Sequence, residues 1–258
     1  LSPHAKGDTL IAARWRNVIL RFNGIHVRAA LAAMLVFFIP ALLMGAPAPG
    51  GHGQKAGSEQ ILAHMDDAAR RVKTISAQLT YTTVTVLVND HSTQTGELFF
   101  RKGKKLEVLV RFLTPDLKVI LFKHNRAEIY YPKINQVQEY DLEKHSNMLQ
   151  QFLLLGFGTP ISDLETSYRV KPLGEKRLGN ETTQLIELTP VQKAIAAQLT
   201  HVDLWVSEVS WLPVQQQFFE PSGDYLVASY KGIRVNSHLA ASVFKIHTKA
   251  GVERVKMN

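Results

Sequence analysis

Residues 95–113 read TGELFFRKGKKLEVLVRFL, two alternating runs around a polar turn, and this stretch decides the fold. In the second run Leu106, Val108, Val110 and Phe112 share one parity, with Glu107 and Arg111 on the other. In the first, Leu98 and Phe100 oppose Glu97 and Arg101. Successive side chains of a strand point to opposite faces, so each run is a strand with one apolar face. Lys102-Gly103 between them makes the pair a hairpin. Phe99, Leu109 and Leu113 fall on the opposite parity, so part of the outer face must also be covered. A helix over 58–73 is the expected cover.

Outward from this hairpin the period of two recurs. Segments 76–89, 118–124, 127–131 and 136–140 are rich in β-branched and aromatic residues, as are 167–173, 182–189, 200–207, 212–220, 224–235 and 243–247. Polar or glycine-bearing turns separate them. About a dozen short strands joined by hairpin-length loops predict an α+β chain whose strongly curved antiparallel sheet forms a half-open β-barrel.

Two segments have helical spacing. Ile61, Leu62, Met65, Ala68, Ala69, Val72 and Ile75 line one face of a helix that Ser58 would cap, after a linker at 49–57. In 144–158 (KHSNMLQQFLLLGFG), Met148, Leu149, Phe152 and Leu153 form a wide apolar face ending at Gly156. Such a helix among strands either plugs the sheet as core or lies as a lid over a hydrophobic cavity. The cavity would be lined by Leu98, Phe100, Leu106, Val108, Val110 and Phe112.

Arg14, Arg16, Arg21 and Arg28 precede the apolar run 29–46, and small or breaking residues follow at Pro47 to Gly50. Basic, apolar, then small is the order of a secretory signal, read over 1–48. A run of about eighteen apolar residues also reaches the lower limit for an uncleaved anchor. Without this leader the chain keeps 25 basic and 21 acidic residues, and no Lys/Arg run with interleaved aromatics points to nucleic acid. The absence of cysteine excludes disulfides and, with no HxxxH or HExxH among ten histidines, argues against zinc. No GxSxG or phosphate-binding glycine loop is present, so no catalytic residue, metal or cofactor is assigned. The residues from 58 to 258 read as one domain.

Further residues carry a resemblance. Gly96-Glu97-Leu98-Phe99-Phe100, Tyr130-Tyr131-Pro132 with Gln136-Val137, Leu188-Thr189-Pro190, and Leu212-Pro213-Val214 leading to Ser222-Gly223-Asp224-Tyr225 resemble, in order and spacing, the LolA family of periplasmic lipoprotein carriers. The ending at Val235-Asn236 and Phe244-Lys245-Ile246 is similar too. The resemblance implies a monomeric, periplasmic, non-enzymatic carrier that holds the acyl chains of a lipoprotein or similar lipid. It would take them from an inner-membrane ABC-type releasing complex to an outer-membrane acceptor. It also implies a lid latch just after the Gly-x-Leu strand, where this chain has Arg101 and Lys102. The family's arginine aligns best with Lys102, a point charge in place of a bidentate fork. An alternative is a LolA-like interaction module that regulates an envelope partner without transporting cargo.

Overall fold

The computed structural model describes residues 51–104, 106–141 and 157–257. The leader 1–48 and the segment carrying Met148, Leu149, Phe152 and Leu153 lie outside the described residues.

Twelve strands form one sheet: β1 (Thr74–Thr85), β2 (Asp90–Lys102), β3 (Leu106–Thr114), β4 (Lys118–Lys123), β5 (Arg126–Tyr131), β6 (Gln136–Asp141), β7 (Tyr168–Leu178), β8 (Glu181–Pro190), β9 (His201–Ser207), β10 (Pro213–Phe219), β11 (Tyr225–Val235) and β12 (Glu253–Met257). Their spatial order is β12-β6-β5-β4-β3-β2-β1-β11-β10-β9-β8-β7. The sheet is open and curved, and every pairing is antiparallel except that of β12 with β6. Hairpin loops explain this order, because consecutive strands pair as neighbours wherever the connection is short. The return from β11 to β1 joins the two halves.

Helix α1 spans Gly51–Arg71, so it starts seven residues before Ser58, and the stretch read as a linker is helical from Gly51. Two short helices, α2 (Ile161–Glu165) and α3 (Lys193–Ala196), fill connections. The last carbonyls of α1 need partners, and Asn236 supplies them in a left-handed conformation at φ 58°. Its Nδ2 donates to Arg71 O at 2.9 Å, while its Oδ1 accepts from Lys73 N at 2.7 Å. The end of β11 is thereby tied to the turn between α1 and β1.

Three apolar clusters hold the sheet. On the concave side, Ala68 and Val72 of α1 meet Ile75, Phe100, Val108 and Phe122. Beside them, Met65 joins α2, α3 and strands β8 and β9 through Leu164, Ile186, Ile195 and Leu204. Trp211 packs against both clusters, stacked on His64 at 4.5 Å. On the convex side Leu109 and Leu121 lie under Phe244, with Phe99, Leu239, Val243 and Ile246 around them.

This third cluster corrects two sequence readings. The outer apolar residues Phe99 and Leu109 are covered by the C-terminal segment, because α1 is committed to the concave side. Leu113 stays exposed. The segment 243–247 is not a strand: Ala241–Phe244 form a 3₁₀ turn whose side chains dock on the sheet face, with no backbone ladder to extend. The twelfth strand lies instead at Glu253–Met257, where Arg254 pairs with Glu139 at 2.6 Å.

Gly96 marks the tightest approach in the sheet. A β-carbon there would lie 2.0 Å from Arg111 O and 2.8 Å from Phe112 Cα, beside the register shift between β2 and β3. The obstacle is backbone, which cannot rotate away. Gly96→Ala is expected to destabilise the fold by about 2 kcal/mol or more, read as a lowered midpoint in denaturant unfolding.

Candidate functional site

Cross-strand registers assemble the concave face in rows. Ile75, Phe100, Val108, Phe122 and Ala127 form one row across β1 to β5. Ala77, Leu98, Val110, Ile120 and Ile129 form the next. All ten are buried, and directly opposed apolar pairs of this kind stabilise a sheet by roughly 0.2–1 kcal/mol each. On β6 the rows end in Tyr140 and Gln138, whose side chains hydrogen-bond at 3.0 Å.

The six residues read from sequence as a cavity lining therefore share this face: Leu98, Phe100, Val108, Val110 and Phe112 are buried, and Leu106 packs against them half-buried. The sequence reading missed Ile120, Phe122, Ile129, Tyr81 and Tyr230, which enlarge the same surface. The even parity of Lys118, Ile120 and Phe122 was the available signal. Phe157 also joins, its ring edge-on to Tyr230 at 4.8 Å. Burial pushes the Tyr81 and Tyr230 hydroxyls well above the ordinary tyrosine pKa, so both are neutral. The Tyr230 hydroxyl donates to Gln216 Oε1 at 2.8 Å.

The two residues read as a latch point to opposite faces. Lys102 Nζ donates to the Gly158 carbonyl at 3.2 Å, on the concave side. Arg101 lies on the convex side, its Nε donating to Glu107 Oε2 at 2.7 Å. Its guanidinium carbon sits 4.4 Å from the Phe244 ring centroid, and Nη1 reaches Leu239 O at 3.4 Å. Lys123 pairs with the other Glu107 oxygen at 2.8 Å. Burial works against the Glu107 carboxylate, but hydrogen bonds from Lys123 and Arg101 hold its pKa below the ordinary value. Arg101 thus fastens the C-terminal segment, because one residue of register turns a strand side chain to the other face.

No family model and no curated protein sequence matches the chain. Solved structures do. An uncharacterized conserved protein from Thermus thermophilus aligns with 79% of this chain and 100% of its own, at 11% identity and a TM-score of 0.50. MucB aligns with 74% of this chain at 13% identity and a TM-score of 0.48, and this chain spans 63% of MucB's length. A LolA superfamily protein from Nitrosomonas europaea aligns with 73% of this chain and 97% of its own, at 14% identity and a TM-score of 0.38. The chain shares its fold with the Thermus thermophilus protein. At these identities the likeness is one of fold.

Across the sheet the apolar rows give way to polar groups toward the β3–β4 turn. Lys118, in register with Phe112, is 6% exposed, its Nζ donating to Gln94 Oε1 at 2.9 Å and lying 4.6 Å from the Phe112 ring centroid. Burial pushes its pKa down to about 8. Among the described residues no group of His, Cys, Asp or Glu is placed to hold a metal ion. A separate polar cavity of about 380 Å³ lies on the convex face between Leu121, Lys123, His124, Arg126 and Glu128. The concave face is therefore an apolar layer with a buried amine at one end.

Two outcomes follow. Arg101→Ala is expected to speed amide hydrogen exchange across 239–246 by roughly tenfold, whereas Lys102→Ala leaves that segment unchanged. The unfolded chain holds a proton on Lys118 up to its ordinary pKa of 10.5, and the folded chain releases it near 8. The unfolded state therefore binds more protons between these values, and this lysine's contribution to stability rises with pH from about 8 to 10.5. Comparing denaturant midpoints across that range, the rise should be smaller in Lys118→Met.

Proposed function

We propose that the concave face takes up the acyl chains of a lipid-anchored protein, or of a chemically similar amphiphile, and carries them through the cell envelope. The observation that supports this reading most is the pair of apolar rows across five strands on the inside of an open sheet. An ordinary half-exposed sheet needs one apolar face; β2 to β4 have two, and the convex one is already covered by Leu239, Val243 and Phe244. Transfer of an acyl chain onto the concave face stabilises by about 0.8 kcal/mol per CH₂ removed from water. Such uptake needs no covalent chemistry. Release then requires a second apolar surface, which is the role of an acceptor at the outer membrane, as an ABC-type complex at the inner membrane is that of a donor. The basic and apolar leader fits delivery to the periplasm.

The test is native mass spectrometry of the full chain purified from an envelope fraction, before and after incubation with a diacylated lipopeptide. An adduct whose extracted mass is that of the lipopeptide is expected, and Leu106→Asp should weaken it at least tenfold while the far-ultraviolet circular dichroism stays that of the parent. A chain that remains free of lipid at saturating lipopeptide overturns the carrier reading, and stable capture of an envelope protein segment by that lipid-free chain would replace it with the interaction-module reading.

A further inference from the structure

The strands alternate in direction, so the turns divide between two ends of the sheet. At one end lie the turns β1–β2, β3–β4, β5–β6 and β10–β11; at the other lie β2–β3, β4–β5, β7–β8 and β9–β10. The chemistry of the two ends differs. At the second end two turns are basic, with Lys102 and Lys104 on one and His124 and Arg126 on another, and Val209 stands exposed on the β9–β10 turn. At the first end the β1–β2 turn presents Val86, Leu87 and Val88 at 53%, 92% and 62% exposure. Leu113 and Leu117 flank the β3–β4 turn and Ile134 tips β5–β6, all three exposed. Val191, just past β8, lies at this end too, so seven of the ten exposed large hydrophobic residues are gathered there among the described residues. Turn tips ordinarily carry Gly, Asn, Asp, Ser or Pro, and an apolar tip marks a contact surface.

The β1–β2 tip is also a built projection. Thr114 at the end of β3 pairs with Thr95, while β2 begins at Asp90, so the hairpin extends five residues, roughly 17 Å at about 3.4 Å per residue, past β3. Val86–Val88 form a 3₁₀ turn closed by Asn89 N donating to Val86 O at 3.2 Å. Val86 N donates to Asp224 Oδ1 of the neighbouring β10–β11 turn at 2.9 Å. The tip is thus held rigid with these backbone donors satisfied, as entry into a medium of low polarity requires.

We infer that the Val86–Val88 tip inserts into the interfacial zone of a lipid bilayer and docks the open end of the sheet against it. A protein partner needs a contiguous complementary patch of about 800 Å² per side, and these side chains stand on separate turns staggered by five residues. A lipid surface accepts them singly and at different depths, about 5–10 Å into the headgroup and acyl boundary. Among the described residues the tip itself carries Asp90 and meets Asp224, and Lys133 of the β5–β6 turn is paired with Asp116 at 3.5 Å, so the surface the tip fits is one of zwitterionic lipid and its attachment is insensitive to salt. The inference stands on the turns and does not need the concave face to hold cargo.

The test uses the full chain with a fluorophore at either end of the sheet, as Leu87→Trp and, at the opposite end, Val209→Trp, a position 91% exposed. Vesicles of phosphatidylcholine and phosphatidylethanolamine with acyl chains brominated near the headgroup quench tryptophan that enters the bilayer. Quenching beyond that of the parent chain is expected for Leu87→Trp and not for Val209→Trp, unchanged between 0.05 and 0.5 M salt. This readout is local, so it holds even if the leader itself binds vesicles. Equal quenching at both positions, or none at 87, overturns the inference. So does a dimer in lipid-free sedimentation that Leu87→Asp dissolves, which would assign the tip to a second copy. Lipopeptide adducts measured on the same variants separate this result from the cargo reading.

Discussion

The two apolar rows from β1 to β5 are the constraint on which the rest depends. Side chains alternate faces along a strand, yet β2, β3 and β4 carry apolar residues on both, through Phe100, Val108 and Phe122 inside and Phe99, Leu109 and Leu121 outside. A sheet of this kind cannot leave either face in water. The convex face is closed from a distance in sequence, by Phe244 and its neighbours, which explains why the chain runs back across the sheet after β11 before adding β12 beside β6. Arg101, oriented by its ion pair with Glu107, fastens that crossing through the Leu239 carbonyl and the face of Phe244.

The concave face is divided between two apolar clusters. Toward β7 to β9 it is filled by Met65 of α1 and by α2 and α3, so that half is ordinary core. Across β2 to β5 the end of α1, Phe157, Leu212 and Tyr230 pack into the same layer. Lys118 with Gln94 sets a polar limit to this apolar layer near the β3–β4 turn. The exposed apolar turns lie at that same end, and the basic turns at the other.

Much of this was legible in the sequence because period-two alternation survives burial. The parity of Leu106, Val108, Val110 and Phe112 placed them on one face, and the structure keeps them there. Eleven of the twelve expected strands form near their expected places, since each run is bounded by turn residues whose chemistry acts locally. Failures occurred where the partner is remote. Val243 to Ile246 alternates enough to read as a strand but meets a sheet face, and Glu253–Met257 has too little apolar character to announce that it pairs with β6. Arg101 and Lys102 both read as a latch, Lys102 the better aligned. They are a register step apart, so one fastens the outside and the other reaches Gly158.

The sequence alone determined that the chain is a β-rich sheet with an apolar interior and an N-terminal helix, because alternation and turn chemistry are properties of a few consecutive residues. Only the tertiary structure decided which covering lies on which face, that Lys118 is buried beside Gln94, and that the apolar turns share one end of the sheet. Those facts depend on strand order and stagger, which arise from contacts between residues far apart in the chain.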